Sequence, residues 1–419
     1  MNASTKDICG GIKMNHVIAF DVSMGKSYMV IYNAEQRCEF EGVIQHNQLH
    51  FKKLLEQIVM ITERTREVPG IVFEATGVYS GQLERLFRDN NLPYTKLNPL
   101  EAKLQTAAMR MHKTDKSDAH RLAQTHISHK RRNHHPQGIY FDQMRALSRY
   151  YTETEKEIKT IRSRLHSLIQ LSFPELESLF SPNSRLFAKV VKLFPHPDYV
   201  ISLSKTVIRN RIKSNTDKNI SFKNAQEKST ALIEAAQCSY PAIEHNDVRC
   251  LQLQEHAERM LETMDRKEEI IKEMIGLSND KKEFEILKSV PGIGDNTAVR
   301  LIAEMGDVSR FDNNKQLNAY AGIDIRRFES GTLFYKDKIN KRGNKELRKI
   351  LYYTIQNMIK LCRFGGNHLV DYYDRLKKQP YNKCHKVASI ACVNKLLKVI
   401  FHLITHNQIY NYEIATQQS

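Results

Sequence analysis

The sequence predicts a mixed α/β domain at the N-terminus, followed by two regions that are largely α-helical. Short apolar segments rich in β-branched and aromatic residues recur between residues 16 and 97, and such segments are typical of buried strands. Segments with apolar residues every three or four positions alternate with them and predict helices. Two longer segments of the same kind, near residues 141–171 and 247–275, predict long packed helices.

The predicted elements of the first region follow a recognisable order. Three strands come first, then a helix, a strand, a helix, a strand and a final helix, which is the order of an RNase H-like, or RuvC-like, domain. The predicted strands lie near residues 16–22, 26–32, 38–44, 71–75 and 93–97. Pro69 and Gly70 end the first helix, and Thr114 is the expected N-cap of the last one.

Four acidic residues of this region fit a divalent-metal site. Asp21 and Glu74 each lie inside an apolar strand segment, where an unpaired carboxylate is costly to bury. Asp115 and Asp118 are three residues apart, so they share one face of a helix and repel each other unless a cation lies between them. Oxygen ligands alone favour Mg²⁺ or Mn²⁺.

Each of these acids also has an ordinary explanation. Asp21 could end a strand, Glu74 could pair with a lysine, and the two aspartates could favour a helix N-terminus. The joint occurrence of all four in this order of elements, on a basic chain, favours the metal site. A pair of cations there would activate the attacking oxygen and stabilise the leaving oxygen of a phosphoryl transfer.

Composition restricts the class of partner and the compartment. The 419 residues suffice for two or three domains, and the net charge of +17 favours nucleic acid, with an anionic membrane or a merely soluble basic protein as alternatives. The seven cysteines form no metal-binding pair, as expected for reduced thiols in the cytoplasm. Residues 1–15 resemble no signal peptide, and the apolar stretch at residues 396–404 is too short for a membrane span.

We therefore expect three domains. Residues 1–136 form the α/β catalytic domain, residues 137–280 a helical insert, and residues 281–419 a mostly α-helical domain with a helix-hairpin-helix and a small β-hairpin. The apolar seam of the insert predicts either an antiparallel helical hairpin or a coiled coil between subunits. Residues 172–245 have a weak helical pattern and are not placed by the sequence.

The third domain contains two candidate phosphate-binding features. Gly292 and Gly294 belong to a Pro-Gly-Ile-Gly turn between two helices, where glycine permits a tight turn and lets backbone amides approach a phosphate. An ordinary helix turn is the alternative. Basic and polar residues also precede and begin the next helix, and they either contact phosphates or form a solvated basic face; they are Lys341, Arg342, Asn344, Lys345 and Arg348.

A β-hairpin is predicted at residues 326–339, with Ser330 and Gly331 at its turn. Ser-Gly pairs are usually turns, and no neighbouring histidine or lysine marks Ser330 as an activated nucleophile. The residues alone therefore give Ser330 no catalytic role.

Taken together, these motifs resemble one known family. The chain is similar to the DEDD-type transposases of the insertion-sequence one-ten family, also called bridge-RNA-guided recombinases. The resemblance covers most of the chain and rests on seven segments: FDV at 20–22, FEATG at 73–77, KTDKSDA at 113–119, VPGIG at 290–294, AYAG at 319–322, SG at 330–331 and RGNKELR at 342–348. Ile325 departs from the family, because relatives commonly have proline there.

The resemblance implies roles that the residues alone do not show. Asp21, Glu74, Asp115 and Asp118 would form a RuvC-like metal site with Mg²⁺ or Mn²⁺, and Ser330 would be the nucleophile that joins to DNA. Donor and target DNA and a structured noncoding guide RNA would be the partners. The helical insert would make a homo-oligomer, either a dimer or a tetramer in the synaptic complex. The alternatives are a Holliday-junction endonuclease that uses metal-activated water and an inactive protein that only binds nucleic acid.

Overall fold

The computed structural model describes residues 16–99, 102, 114–128, 138–216, 220–326, 329–330, 333–334, 338–361 and 366–417. The chain divides into two compact units, Met1–Pro136 and Gln137–Ser419. Each unit has hydrophobic clusters of its own.

The first unit is built on one mixed sheet of five strands in the order β3-β2-β1-β4-β5. The strands β1, β2 and β3 are antiparallel neighbours, and β4 and β5 are added parallel to β1. The strands are β1 (His16–Ser23), β2 (Lys26–Asn33), β3 (Cys38–Gln45), β4 (Gly70–Glu74) and β5 (Tyr94–Leu97). The predicted α/β order of elements is confirmed within one or two residues at each strand end.

Helices cover both faces of this sheet. Helices α1 (Gln48–Thr65) and α2 (Gly81–Asp89) pack on the face that contains Phe20 and Phe73. Helix α3 (Asp115–Ser128) packs on the opposite face, against Val17, Ala19 and Val72. The alternation of side chains along β1 and β4 therefore assigns each residue to a face, and α3 covers the face of Ala19 and Val72.

The second unit begins with two long helices, α4 (Ile139–Ser172) and α10 (Val248–Ser278). They pack antiparallel within the chain, because Tyr140 Oη lies 3.0 Å from Ser278 Oγ near one end and Arg259 Nη2 donates to Glu157 Oε1 at 2.8 Å further along. The helices between them form a cap with its own core around Phe187. The cap helices are α5 (Leu176–Leu179), α6 (Arg185–Leu193), α7 (Asp198–Ile201), α8 (Lys205–Ser214) and α9 (Phe222–Cys238).

The rest of the second unit is mostly helical. Its core also includes Met144 from α4 and Met274 from α10, so one core contains residues on both sides of position 280. The elements are α11 (Lys282–Ser289), α12 (Asp295–Met305), α13 (Asn314–Ala321), β6 (Ile325–Arg326), β7 (Glu329–Ser330), β8 (Leu333–Phe334), β9 (Lys338–Ile339), α14 (Lys345–Leu361), α15 (His368–Lys377), α16 (His385–Thr405) and α17 (Tyr412–Gln417), with a 3₁₀ turn at Val308–Arg310.

Helix α16 is the one helix, among the described residues, that is long and apolar enough to cross a bilayer by length and composition alone. Its residues Cys392, Val393 and Leu396 are fully buried in the core of the second unit. A core helix of this kind meets the same criterion, and the position of α16 agrees with the core helix predicted for residues 396–404.

Candidate metal centre and nucleic-acid interface

Asp21 and Glu74 lie side by side at the carboxyl ends of two parallel strands. Phe20 of β1 is paired with Phe73 of β4, so the next residues along each strand, Asp21 and Glu74, come at the same level. Side chains at matched positions of parallel strands point to the same face. That face is the one covered by α3, and both carboxylates are partly buried there.

Asp115 and Asp118 occupy the first turn of α3. Thr114 and Ser117 cap the helix reciprocally, since Thr114 Oγ1 accepts from the Ser117 amide at 3.1 Å and Ser117 Oγ accepts from the Thr114 amide at 3.0 Å. This confirms the predicted N-cap. The buried residues Ala119 and Leu122 follow Asp115 and Asp118 by four positions each, so both aspartates lie above the sheet-facing side of the helix.

The direction of α3 places this first turn near Asp21. Lys116 contacts Glu41 of β3, while His120, one turn later, also reaches Tyr32 of β2. Tyr32 is paired with Val17, near the start of β1. The helix therefore runs from the carboxyl end of β1 towards its amino end, and the four acids predicted from the sequence share one end of the sheet.

The donor chemistry of this end fits a hard divalent cation, because all four side chains offer carboxylate oxygens. Asp115 is exposed, and Asp118 forms an ion pair with Arg121 at 3.7 Å, so a cation would share that carboxylate with the guanidinium. Among the described residues, the side chains whose ligand atoms all lie within 4.8 Å of one another are a different set, Cys38, Glu41 and His120. The four acids thus lie towards the same end of the sheet, but no three of them bring their ligand atoms within 4.8 Å of one another.

Ser330 lies in a short, interrupted hairpin of the second unit. Its strand β7 pairs antiparallel with β8, with Ser330 opposite Leu333, and β6 pairs with β9 further from the turn. The predicted hairpin is therefore present in the backbone. Ser330 belongs to strand β7 and not to the turn predicted for it, and Gly331 lies outside the described residues.

The Pro-Gly-Ile-Gly segment connects α11 to α12, as predicted. Gly292 has φ +92°, and a Cβ there would lie 2.6 Å from Met358 Cγ on α14, so backbone conformation and packing both require this glycine. Gly294 has open space around it, but Asp295 begins the helix and forms an ion pair with Lys288 at 2.8 Å. A carboxylate therefore already lies at the helix N-terminus where a phosphate was expected.

The residues before and within the first turn of α14 divide into two groups. Lys341, Arg342 and Lys345 are exposed. Asn344 caps the helix by accepting from the amides of residues 346 and 347 at 3.0 and 3.1 Å. Arg348 donates to the Ala321 carbonyl at 2.7 Å, and burial lowers the pKa of its guanidinium. Asn344 and Arg348 thus stabilise the fold of this unit. The exposed Lys341, Arg342 and Lys345 are free to contact either solvent or phosphate.

Sequence reasoning missed a buried carboxylate beside this region. Glu304 is fully buried, and its oxygens accept from Ser148 Oγ at 3.0 Å and from Arg149 Nη2 and Asn344 Nδ2 at 2.8 Å. These donors connect α4, α12 and α14, and they offset the cost of burying the charge. The sequence does contain a sign of this buried carboxylate, because Glu304 interrupts the apolar run of α12 in the way that Asp21 interrupts β1.

Tyr320 borders the same network and donates from Oη to the Glu304 carbonyl at 3.1 Å. Burial alone would raise the pKa of Tyr320, but the nearby Arg145, the amide of Asn344 and Arg310 together lower it below the ordinary value. Arg310 also stacks over the ring at 4.5 Å. A partly buried phenol between two guanidinium groups is a feature that the sequence pattern did not reveal.

Comparison with known proteins gives a consistent family. A family model described as "Transposase IS116/IS110/IS902 family" matches residues 284–373, and a second model, described as "Transposase", matches residues 18–174. Similar curated proteins include the transposase for insertion sequence element IS1111A of Coxiella burnetii, 27% identical over 33% of this chain and 37% of that protein. The pilin gene-inverting protein of Moraxella bovis is 31% identical over 31% of this chain and 39% of that protein.

The chain spans about two fifths of the length of the curated relatives it matches. Among solved structures, Thermus thermophilus RuvC in complex with a Holliday junction substrate is similar, with 13% identity, a TM-score of 0.21 and coverage of 27% of this chain and 92% of RuvC. The two family models, one at each end, together match more than half of the chain. By these matches the chain belongs to the IS116/IS110/IS902 family of transposases.

Proposed function

We propose that this protein is an insertion-sequence transposase that cleaves and rejoins DNA strands in a reaction that depends on Mg²⁺ or Mn²⁺. The observation that supports this most is that Asp21 and Glu74 lie at matched positions of β1 and β4, on the face covered by the helix with Asp115 and Asp118 in its first turn. Family models of transposases match both this region and residues 284–373. A bound divalent cation would supply Lewis-acid stabilisation of the phosphate oxygens.

In the proposed reaction Ser330 is the nucleophile. Its hydroxyl loses a proton and bonds to phosphorus, while the leaving sugar oxygen is released and takes up a proton. Rejoining reverses these steps with a sugar hydroxyl from another strand. A covalent intermediate conserves the energy of the phosphodiester, so strands can be exchanged without another energy source. The resemblance to the family is the support for this role, together with the pairing of Ser330 with Leu333 in the predicted hairpin.

The proposed partners are donor DNA, target DNA and a structured noncoding RNA that pairs with both. The net charge of +17 and the exposed Lys341, Arg342 and Lys345 suit binding to nucleic-acid backbones. Two similar proteins are named for inverting a pilin gene, and a conservative exchange of DNA strands would give such a product. We also propose a homo-oligomer, in which subunits associate through the helical insert.

The serine and metal roles are separated by trapping the covalent intermediate. Wild-type protein with Mg²⁺, matched DNA and the RNA that co-purifies with it should give a protein–DNA adduct that survives denaturation. Ser330→Ala should abolish the adduct and strand transfer while nucleic-acid affinity stays nearly unchanged. The matched control is Ser309→Ala, at an exposed serine of the same unit, which should behave as wild type.

Other outcomes have defined meanings. DNA cleavage without any adduct, retained by Ser330→Ala, would refute the serine role and indicate a Holliday-junction endonuclease that uses metal-activated water. No cleavage by wild-type protein with metal, RNA and matched DNA would refute catalysis altogether. Sequencing of the RNA that co-purifies with the protein tests the guide separately, because the absence of any enriched RNA would contradict an RNA-guided reaction.

A further inference from the structure

A second set of metal-binding side chains lies on the same face of the first sheet, nearer its edge. Cys38 and Glu41 come from the edge strand β3, and His120 comes from α3. Their ligand atoms, one from each residue, all lie within 4.8 Å of one another. The three side chains are separate from the four acids discussed above and offer sulfur, nitrogen and oxygen together.

A β-bulge explains how two residues three apart in one strand reach the same face. Cys38 is paired with Tyr32, whereas Phe40 is paired with the preceding residue Ile31, so Glu39 is an extra residue in β3. The bulge shifts the alternation by one position. Cys38 opposite Tyr32 and Glu41 opposite Val30 therefore both face α3, since Tyr32 and Val30 belong to the cluster on that side.

The ring of His120 is oriented by a contact on its far side. Tyr32 Oη lies 2.8 Å from His120 Nδ1, and His120 Nε2 lies 2.9 Å from Glu41 Oε2. Lys116 binds the other carboxylate oxygen, Oε1, so the two oxygens of Glu41 have different partners. A metal-bound histidine usually donates its other ring N–H to an oxygen acceptor, and Tyr32 Oη is within reach to be that acceptor of His120.

We propose that Cys38, Glu41 and His120 bind a divalent transition-metal ion of the zinc type. The ion would take Cys38 Sγ, His120 Nε2 and Glu41 Oε2, with a water as the fourth ligand. Ligand atoms in tetrahedral zinc sites are about 3–4 Å apart. The wider separations, of up to 4.8 Å, would need to contract slightly, and the 2.9 Å separation of His120 Nε2 and Glu41 Oε2 would need to open slightly. Lys116 can keep its contact with Oε1.

Binding requires a defined movement of protons. The Cys38 thiol releases its proton to solvent, and the proton of the neutral His120 ring moves to Nδ1, where it is donated to Tyr32 Oη. Burial and the negative charge of Glu41 raise the pKa of the Cys38 thiol. The two candidate sites should also select different metals. Mg²⁺ prefers the site made of carboxylates alone, whereas zinc accepts the thiolate and imidazole of the second site.

The consequence for the protein is a clamp between the edge strand and the helix that contains Asp115 and Asp118. Without the ion, β3 and α3 are joined near this point by the contacts of Glu41 with Lys116 and His120. Both contacts are partly exposed, and exposed ion pairs contribute little. A three-ligand metal would fix the start of α3 relative to the sheet.

Co²⁺ titration of the full chain tests the proposal, because a cobalt–thiolate bond absorbs in the near ultraviolet and tetrahedral cobalt absorbs in the visible. Wild-type protein should bind one equivalent with both bands, and Zn²⁺ should displace it. Cys38→Ser should lose the near-ultraviolet band, and His120→Gln should weaken binding by more than 100-fold. Tyr32→Phe should weaken binding by about 10-fold, through the lost support of the ring.

Three controls make the result specific. Cys238→Ser removes an exposed cysteine of the second unit and should leave both bands unchanged. Asp21→Asn and a large excess of Mg²⁺ should also leave them unchanged, so a failure of the proposed transposase activity does not affect this test. Circular dichroism establishes that each variant is folded. The proposal is overturned if cobalt gives no thiolate band at one equivalent, or if folded Cys38→Ser keeps that band.

Discussion

The carboxyl end of the sheet in the first unit and the turn before helix α14 in the second unit are both rich in polar side chains, but they use them differently. At the sheet end, Asp21 and Glu74 lie at matched positions of β1 and β4, and Asp115 and Asp118 lie in the first turn of the helix that covers the same face. Their carboxylate oxygens suit a hard divalent cation. At the start of α14, Asn344 caps the helix and donates a hydrogen bond to the buried Glu304, while Arg348 donates to the Ala321 carbonyl. The first arrangement offers oxygen ligands to a cation, while the second uses its polar side chains to stabilise the fold.

The largest effect expected from this difference is on catalysis without a change of stability. Glu74→Gln keeps the shape of the side chain but removes a negative oxygen ligand, so DNA cleavage should fall by on the order of 10³-fold. The free energy of unfolding should change little, because Glu74 is only partly buried and the amide keeps the size of the side chain. The control is Glu56→Gln on the exposed side of α1. If Glu74→Gln cleaved DNA at the wild-type rate, Glu74 would not be a ligand of the catalytic metal.

The reverse pattern is expected for the close-packed turn of the second unit. A Cβ on Gly343 would lie 2.2 Å from the Tyr320 carbonyl oxygen and 2.4 Å from the Gly322 amide, and backbone atoms cannot easily move away. Gly343→Ala should lower the free energy of unfolding by about 3 kcal/mol, as measured by urea denaturation.

Gly294→Ala is the matched control for that variant. Its φ is −90° and no atom lies within 4 Å of the added Cβ, so stability should be unchanged or slightly raised. If backbone at Gly294 binds a phosphate, the same variant should weaken DNA binding. Equal loss of stability in Gly343→Ala and Gly294→Ala would contradict the packing described here.

A pH dependence of stability is expected in the second unit. His368 is buried against Tyr410, whose hydroxyl lies 2.8 Å from Nδ1, and burial with some help from Lys395 lowers the pKa of His368 from 6.5 to about 4, against a smaller opposing effect of Asp371. The unfolded chain therefore binds more protons between these values, so stability falls as pH decreases from about 6.5 to 4, by at most about 1.4 kcal/mol per pH unit. The free energy of unfolding, measured by chemical denaturation at several pH values in this range, should depend less steeply on pH in His368→Gln than in the wild-type protein.

The smallest effects should distinguish the two arginines near α14. Arg342→Ala removes an exposed cation, so stability should stay within about 0.5 kcal/mol of wild type, while DNA affinity falls and its salt dependence decreases by about one phosphate contact. Arg348→Ala removes the donor to the Ala321 carbonyl and should cost about 1 kcal/mol. Measurements of unfolding and of DNA binding against salt would contradict this division if the two variants behaved alike.

Much of the first unit could be predicted because its signals are local. Apolar strand segments, the Pro69-Gly70 break and the Thr114 cap each act within a few residues, and the structure has the corresponding elements in the predicted order. Residues 172–245 could not be placed, because four of their five cap helices have ten residues or fewer and the cap buries apolar residues against α4 and α10. That burial depends on partners distant in sequence.

The sequence alone determined which residues form the strands and helices, that Asp21 and Glu74 lie in apolar surroundings, and that basic residues gather before α14. These are properties of periodicity, composition and nearest neighbours. Only the tertiary structure decided that β1 and β4 are adjacent in register, that a bulge turns Cys38 and Glu41 towards His120, and that Asn344 and Arg348 point inward. Strand register, bulges and side-chain partners depend on contacts between distant segments, and those contacts have no local signature in the chain.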